Sequence, residues 1–414
     1  MNAQEFLTLF QKKEVAQSFD YYDDVVAILK EVRENKDEAL KTYSQQFDQQ
    51  TLTSLKVPVE KLKASYDALE PQVKASLETI KARIEAYETA IKYQDKSLGE
   101  FRYVYRPLEK VGVYVPGGTA LYPSSVLMTV VPALVAGVSE IHVVTPTFSD
   151  NNITFATLYL CGVENVYTVG GAQAIAALAY GTETIPKVDK IVGPGNAYVA
   201  LAKRLVFGQV GIDMIAGPSE ILLYIDETAE LDAVVTDVFA QAEHDANART
   251  FVLTESERLL QQLEEKIQDQ LAKQVRADII SLSLKNNHYG IVDKRDNLIA
   301  VLNQIAPEHV SIQHQDSAAI IAAINYAGAV FEGHYSPEAI GDYAAGPSHV
   351  LPTNRTARFS HGLNVNDFLT SHAVISLTES TYQTIVGAAE TIAAKEGLDA
   401  HYQSLAIRKG KPND

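Results

Sequence analysis

From Val111 onward, short apolar runs alternate with helical stretches: VGVYV, EIHVVTP, NVYTVG and KIVGPG are separated by segments such as AIAALAYG and AYVALAKRLVFG. Runs with so few polar positions suit strands covered on both faces, and parallel strands of that kind need helical crossovers between them. The architecture is thereby narrowed to helices wound over both faces of a parallel sheet. A second set, EILLYID, a helix through Ala240, RTFVLTES and a helix near LLQQLEEKIQDQLA, predicts another α/β unit in tandem. Up to about Gln94, VVAILKEVRENKDEALKTYSQQF and PQVKASLETIKARIEAYETAI return apolar residues at helical spacing. Beyond Asp367 the tail LTESTYQTIVGAAETIAAKEGLDAHYQSLAIRKG reads as helical and polar-faced. The expected organisation is two tandem Rossmann-like doubly wound units, 111–217 and 218–366. A helical N-terminal region, 1–110, leads into the first, and a small helical C-terminal appendage, 367–414, follows the second.

Charge and cysteine usage narrow the function. The 414 residues carry a formal charge of −17 and no basic block, which opposes nucleic acid and anionic membranes as partners. The N-terminus, MNAQEFLTLFQKKEVAQ, lacks the basic region, apolar core and cleavage site of a secretory signal. The longest apolar run, around VLMTVVPALVAGV, falls short of the roughly 20 residues that span a bilayer and is expected as a buried helix. Cys161 is the sole cysteine, so no disulfide forms within the chain, which suits a cytoplasmic protein. Any metal site must then use His, carboxylate or amide ligands.

The strands of the first unit end in glycine turns, at Pro116 to Gly118, at Gly170 and Gly171, and at Gly193 to Gly195. Ligands of open α/β sheets sit at the carboxyl ends of strands, so these turns are candidate binding loops. No GxGxxG follows a strand, so plain chain reversal remains the alternative for each turn.

Nine of the ten histidines lie beyond residue 240, at 244, 288, 309, 314, 334, 349, 361, 372 and 401. Gln241 and His244, in VFAQAEHDA, share a helix face and can reach one metal, or simply form a polar helix end. In SPEAIGDYAAGPSHVLPT, Ser336 can cap and Pro337 open a short helix that Gly341 ends, leaving Asp342 in a loop. His401 follows KEGLDA near the C-terminus, where spacing alone suggests a solvated side chain. Together these donors form an N/O set suited to zinc, which manganese or cobalt could also fit, and no HExxH or paired CxxC adds independent support. Glu308 and His309 stand in APEHVSIQ. Neighbouring side chains on a strand face opposite ways, so both serve one pocket only where the chain turns or the pocket wraps the strand end. A salt-bridged Glu beside a surface His is the competing reading.

Read as whole strings, VGVYVPGG, VGGAQAIAALAYGTETIP, VDKIVGPGNAYVALAKR, GIDMIAGPSEIL, AQAEHDA, APEHV, GDYAAGPSHVLPT and EGLDAH resemble the histidinol dehydrogenase family, in order, over about residues 100 to 401. The resemblance implies oxidation of L-histidinol to L-histidine through L-histidinaldehyde, with two NAD+ and one divalent metal, usually zinc. It further implies that Gln241, His244, Asp342 and His401 ligate the zinc and that Tyr114, Gln173 and Asn196 bind NAD. Ser219, His349 and Glu396 would join the substrate site together with the metal ligands and His309, and Glu308 and His309 would form the acid/base pair. The family is an intertwined homodimer in which the C-terminal ligand, here His401, comes from the partner chain. Ser348, where Asn is usual, and HGLNVNDF, where SGLSVxDF is usual, depart from the family wording.

Taking an alcohol to an acid needs two hydride transfers, and the second requires an aldehyde hydrate or a covalent adduct. Cys161 sits in the apolar run LYLCGV and reads as a buried structural residue, which leaves water as the nucleophile. The expected division of labour gives proton transfer to His309 and water activation to Glu308, with zinc chiefly orienting the substrate. Competing functions are oxidation of another amino or sulfo alcohol, metal-dependent hydrolysis and non-catalytic metabolite sensing.

Overall fold

The computed structural model describes residues 1–13, 21–117, 121–146, 152–215 and 217–409. The apolar runs become strands because β-branched residues pack well on a pleated surface covered from both sides. In chain order the strands, these runs together with more exposed segments, are β1 (Lys96–Leu98), β2 (Phe101–Pro107), β3 (Lys110–Tyr114), β4 (Glu140–Val144), β5 (Asn165–Tyr167), β6 (Lys190–Val192) and β7 (Gly211–Ile212). They continue as β8 (Glu220–Ile225), β9 (Arg249–Thr254), β10 (His288–Val292), β11 (His309–Gln313), β12 (Ala329–Glu332) and β13 (Leu369–Ile375), with β1, β2 and β13 the more exposed.

Two five-stranded parallel sheets result, ordered β5-β4-β3-β6-β7 and β10-β9-β8-β11-β12. Both reverse direction beside their first strand, between β3 and β6 and between β8 and β11. Doubly wound sheets open a crevice at such reversals. The tandem α/β expectation is met, and β8 is buried at every position, as a central parallel strand should be. The run VLMTVVPALVAG lies in a buried helix, Pro123–Ala136, which starts with Pro at its first turn and stops at Gly137 in the left-handed conformation. Helix Ala3–Lys13 lays Phe6 and Phe10 on the core beneath the second sheet, whereas helix Tyr22–Asp48 packs on helix Gly171–Tyr180 beside the first.

The chain divides into two compact units, Met1–Lys92 with Leu108–Phe368, and Tyr93–Pro107 with Leu369–Asp414. The second unit holds the antiparallel sheet β1-β2-β13 and helices Glu379–Lys395 and Asp399–Ala406. Its helices match the expected polar-faced tail, but Leu369–Ile375 form a strand, paired with β2 from Leu369↔Pro107 to Ile375↔Phe101. That pairing is non-local, so helical periodicity further along the tail could not announce it. Among the described residues no helix is long and apolar enough to cross a membrane.

Candidate active site

At the carboxyl ends of β3 and β6 the glycine turns interlock. A side chain on Gly117 would stand 2.0 Å from the Pro146 carbonyl oxygen, and one on Gly193 would stand 2.1 Å from that of Tyr114. Gly193 also has φ +110, which disfavours any other residue. Gly118 lies outside the described residues. The Tyr114 hydroxyl accepts from the Gly171 N–H at 3.1 Å, which joins the first and second turns. Gln173 is buried in the first turn of helix Gly171–Tyr180, and Asn196 caps helix Ala197–Val206 by accepting from the Val199 N–H at 3.1 Å. The buried pair Lys203–Asp213 clamps the third turn: Asp213 Oδ2 accepts from the Gly193 N–H at 2.8 Å and Lys203 donates to the Gly193 carbonyl at 3.0 Å. Two helix starts and rigid, close-packed backbone therefore surround the crevice, an arrangement suited to phosphate.

Charged side chains line the matching crevice of the second sheet. Arg295 pairs with Glu255 at 3.2 Å and Asp316 at 2.8 Å, and His314 lies 3.5 Å from Asp226. Acidic groups dominate there, which opposes a polyphosphate.

The histidine-rich site instead gathers at the amino ends of β8 and β11. Glu308 immediately precedes β11 and His309 opens it, so the strand has barely begun and both side chains turn to one residue, Glu220. The Glu220 N–H donates to Glu308 Oε2 at 2.9 Å, and His309 Nδ1 lies 3.0 Å from the Glu220 carbonyl oxygen. A carbonyl only accepts, so Nδ1 carries the proton and Nε2 is left with its lone pair. Burial lowers the His309 pKa to about 4 and raises Glu308 well above the usual carboxylate range. The Glu308 shift is opposed by the Glu220 N–H and reinforced by Glu220, Glu338 and Asp342.

Helix Leu231–Ala242 presents Gln241 in its last turn, with His244 just beyond its end. His244 Nε2 stands 3.8 Å from Asp342 Oδ2, and ligand atoms of His244, Glu338 and Asp342 all lie within 4.8 Å of one another. Asp342 is not in a loop: it belongs to helix Glu338–Tyr343, which begins after Pro337 without a side-chain cap from Ser336. Gly341 serves packing rather than helix termination, since a side chain there would meet the Phe331 ring at 2.6 Å. His349 Nδ1 donates to the Asp342 carbonyl at 3.1 Å, and its Nε2 faces Ser125 Oγ at 3.5 Å. Ser348 turns away from this contact and donates to the Met128 carbonyl at 3.0 Å. Ser219 lies at the entry to β8, its carbonyl accepting from the Arg249 N–H at 2.9 Å.

The donor set fits a divalent cation on two observations. Both amide atoms of fully buried Gln241 and one oxygen of Glu338 lack a hydrogen-bond partner among the described residues. Burial and the neighbouring Asp342 and Asp237 also push Glu338 up to about 8, a repulsion that a cation would relieve. Glu338 escaped the sequence reading. Its spacing of four residues from Asp342, which puts both on one helix face, was the available signal. Glu396 and His401 belong to the second unit, where both line one cleft with Ala389, Ile392 and Leu398.

The family model described as histidinol dehydrogenase matches residues 11–409. A histidinol dehydrogenase of Staphylococcus saprophyticus subsp. saprophyticus is 53% identical over 411 residues, spanning 98% of this chain and 97% of that protein. One of Staphylococcus epidermidis is 51% identical over 415 residues, spanning 99% and 100%. The crystal structure of histidinol dehydrogenase from Elizabethkingia anophelis matches with a TM-score of 0.91 at 34% identity, spanning 95% of this chain and 93% of that one.

Proposed function

The chain belongs to the histidinol dehydrogenase family, and on that premise we propose that it carries L-histidinol through L-histidinaldehyde to L-histidine with two NAD+ and one zinc ion per subunit. It is an oxidoreductase of histidine biosynthesis, acting on histidinol. The observation that carries the finer reading is the state of His309: its Nδ1 proton is committed to the Glu220 carbonyl, and burial lowers the ring's pKa to about 4, which leaves a buried, unprotonated Nε2 with its lone pair open beside the Glu338 and Asp342 carboxylates.

In the first oxidation, His309 Nε2 takes the substrate hydroxyl proton as hydride leaves the carbon. In the second, Glu308 takes a proton from water as the water oxygen adds to the aldehyde carbon, and protonated His309 returns its proton to the carbonyl oxygen, which completes the hydrate and frees Nε2 again. His309 then takes a hydroxyl proton of the hydrate as the second hydride departs. Burial makes Glu308 a stronger base than a solvated carboxylate, which suits that step. Cys161 is buried and its thiol is pushed up to about 12, so a thiolate adduct is disfavoured. When bound, NAD+ supplies the hydride acceptor and zinc a positive anchor for the imidazole and amino nitrogens of histidinol.

Gln241, His244 and Asp342 would hold the zinc, with His401 of a partner subunit completing the set in a homodimer. Tyr114, Gln173 and Asn196, in the 111–217 unit, would hold NAD+. Ser219, His349 and Glu396 would orient the substrate, and the 218–366 unit would carry the acid/base pair. The test is NADH formation from NAD+ and histidinol, compared with related amino alcohols, before and after zinc is removed and restored. NADH should form with histidinol and depend on zinc. Turnover of histidinol without NAD+, or a preference for another alcohol, would sink the assignment.

A further inference from the structure

One residue outside the acid/base pair contacts both of its members. Glu220 donates its N–H to Glu308 and accepts at its carbonyl from His309, so the orientation of a single stretch of backbone sets the carboxylate position and the imidazole tautomer together. That backbone is fixed by its own side chain. The Glu220 carboxylate is buried, with Oε1 accepting from Arg249 at 3.0 Å and Oε2 from the Asn354 N–H at 3.2 Å. The same Arg249 nitrogen reaches Asn354 Oδ1 at 3.3 Å, and β8 and β9 align Glu220 directly against Arg249.

The loop supplying the third partner is held in an uncommon shape. Asn354 and Arg355 both have left-handed backbone, at φ +52 and +67. Such pairs of non-glycine residues persist where surrounding contacts over-determine them. Thr353 adds a further tie, its hydroxyl accepting from the Gly217 N–H at 2.5 Å on the segment that leads to Ser219. Burying the Glu220 carboxylate in an ion pair is a costly way merely to close the amino ends of two inner strands, because apolar residues of similar size do so at least as well. Its placement behind the Glu308–His309 pair gives it a use that apolar residues lack.

We propose that Glu220, Arg249 and Asn354 form a positioning device that holds Glu308 and His309 in register for both oxidations. The proposal rests on the acid/base reading of that pair. A displacement of about 1 Å at reacting groups can cost on the order of a hundredfold in rate. Arg249 is only partly buried, so Arg249→Met should fold. Its kcat should fall roughly tenfold to a hundredfold with histidinol and by the same factor with histidinaldehyde. KM for NAD+ and zinc content should stay unchanged, and Arg249→Lys should recover part of the rate. Glu220→Gln should behave alike.

Three results would overturn the proposal: wild-type kcat in both variants, a lowered melting temperature with kcat unchanged, or loss of only one of the two steps. His309→Asn and Glu308→Gln are measured alongside. If His309→Asn keeps its kcat, the acid/base reading falls and takes the proposal with it. If His309→Asn loses its rate while Arg249→Met does not, the positioning device alone is refuted.

Discussion

Replacing His309 with asparagine separates the two nitrogens of its ring. The asparagine amide nitrogen can take the place of Nδ1 and go on donating to the Glu220 carbonyl, now 3.0 Å away, while nothing replaces Nε2. The substitution therefore keeps the contact that ties β11 to β8 and removes the proton acceptor facing Glu338, 3.7 Å distant. Loss of a positioned base typically lowers the rate by about 10² to 10⁴, or about 3 to 5 kcal/mol of transition-state stabilisation. His309 is itself outside the expected ligand set, so zinc content should not change. The assay is the initial rate of NADH formation at saturating histidinol and NAD+, with zinc measured in the same preparation and folding checked by circular dichroism. Both oxidations should slow, because Nε2 takes a proton in each. A variant with full zinc, native folding and undiminished kcat would refute the assignment, and loss of zinc would show that the ring supports the metal instead.

Glu308→Gln should retain the alcohol step and lose the aldehyde step by about 10² or more, read by supplying histidinol and histidinaldehyde separately; equal slowing of both would count against water activation. Cys161→Ala should leave both steps intact, since the buried thiol is pushed up to about 12, and a selective loss of aldehyde oxidation would revive a thiol adduct. Glu88 is buried on helix Pro71–Ile91, accepts from the Val365 N–H at 2.7 Å and is pushed up to about 7 by burial. A carboxyl raised in the folded state costs stability above its unfolded pKa, so stability should rise as pH falls from about 7 towards about 4.5. Glu88→Gln should remove up to about 3 kcal/mol of that dependence, and an unaltered difference between unfolding midpoints at about pH 5 and about pH 8 would contradict it.

The sheets were legible because strand burial on both faces leaves a local mark: VGVYV and EILLYI are apolar almost throughout, and helices must connect them. Glycine turns at the ends of those strands were legible too, since close backbone approach at Gly117 and Gly193 admits no side chain. Tail residues Leu369–Ile375 were not, because their partner β2 lies more than 260 positions earlier in the chain, in the register Leu369↔Pro107. Asp342 was misplaced for a similar reason: Gly341 looks like a helix stop until the Phe331 ring is seen against it.

Within the site, the sequence by itself determined which chemical groups are available: Glu308 beside His309, Gln241 near His244, and Asp342 before His349. The family strings attached expected roles to them. Only the tertiary structure decided which ring nitrogen of His309 keeps its lone pair, because that depends on the carbonyl of Glu220, 89 positions away in sequence. It likewise decided that Glu338 joins His244 and Asp342, and that Arg249 stands behind the acid/base pair. Side-chain identity is local and written in order along the chain, whereas tautomer, burial and charge repulsion arise from neighbours that folding brings together.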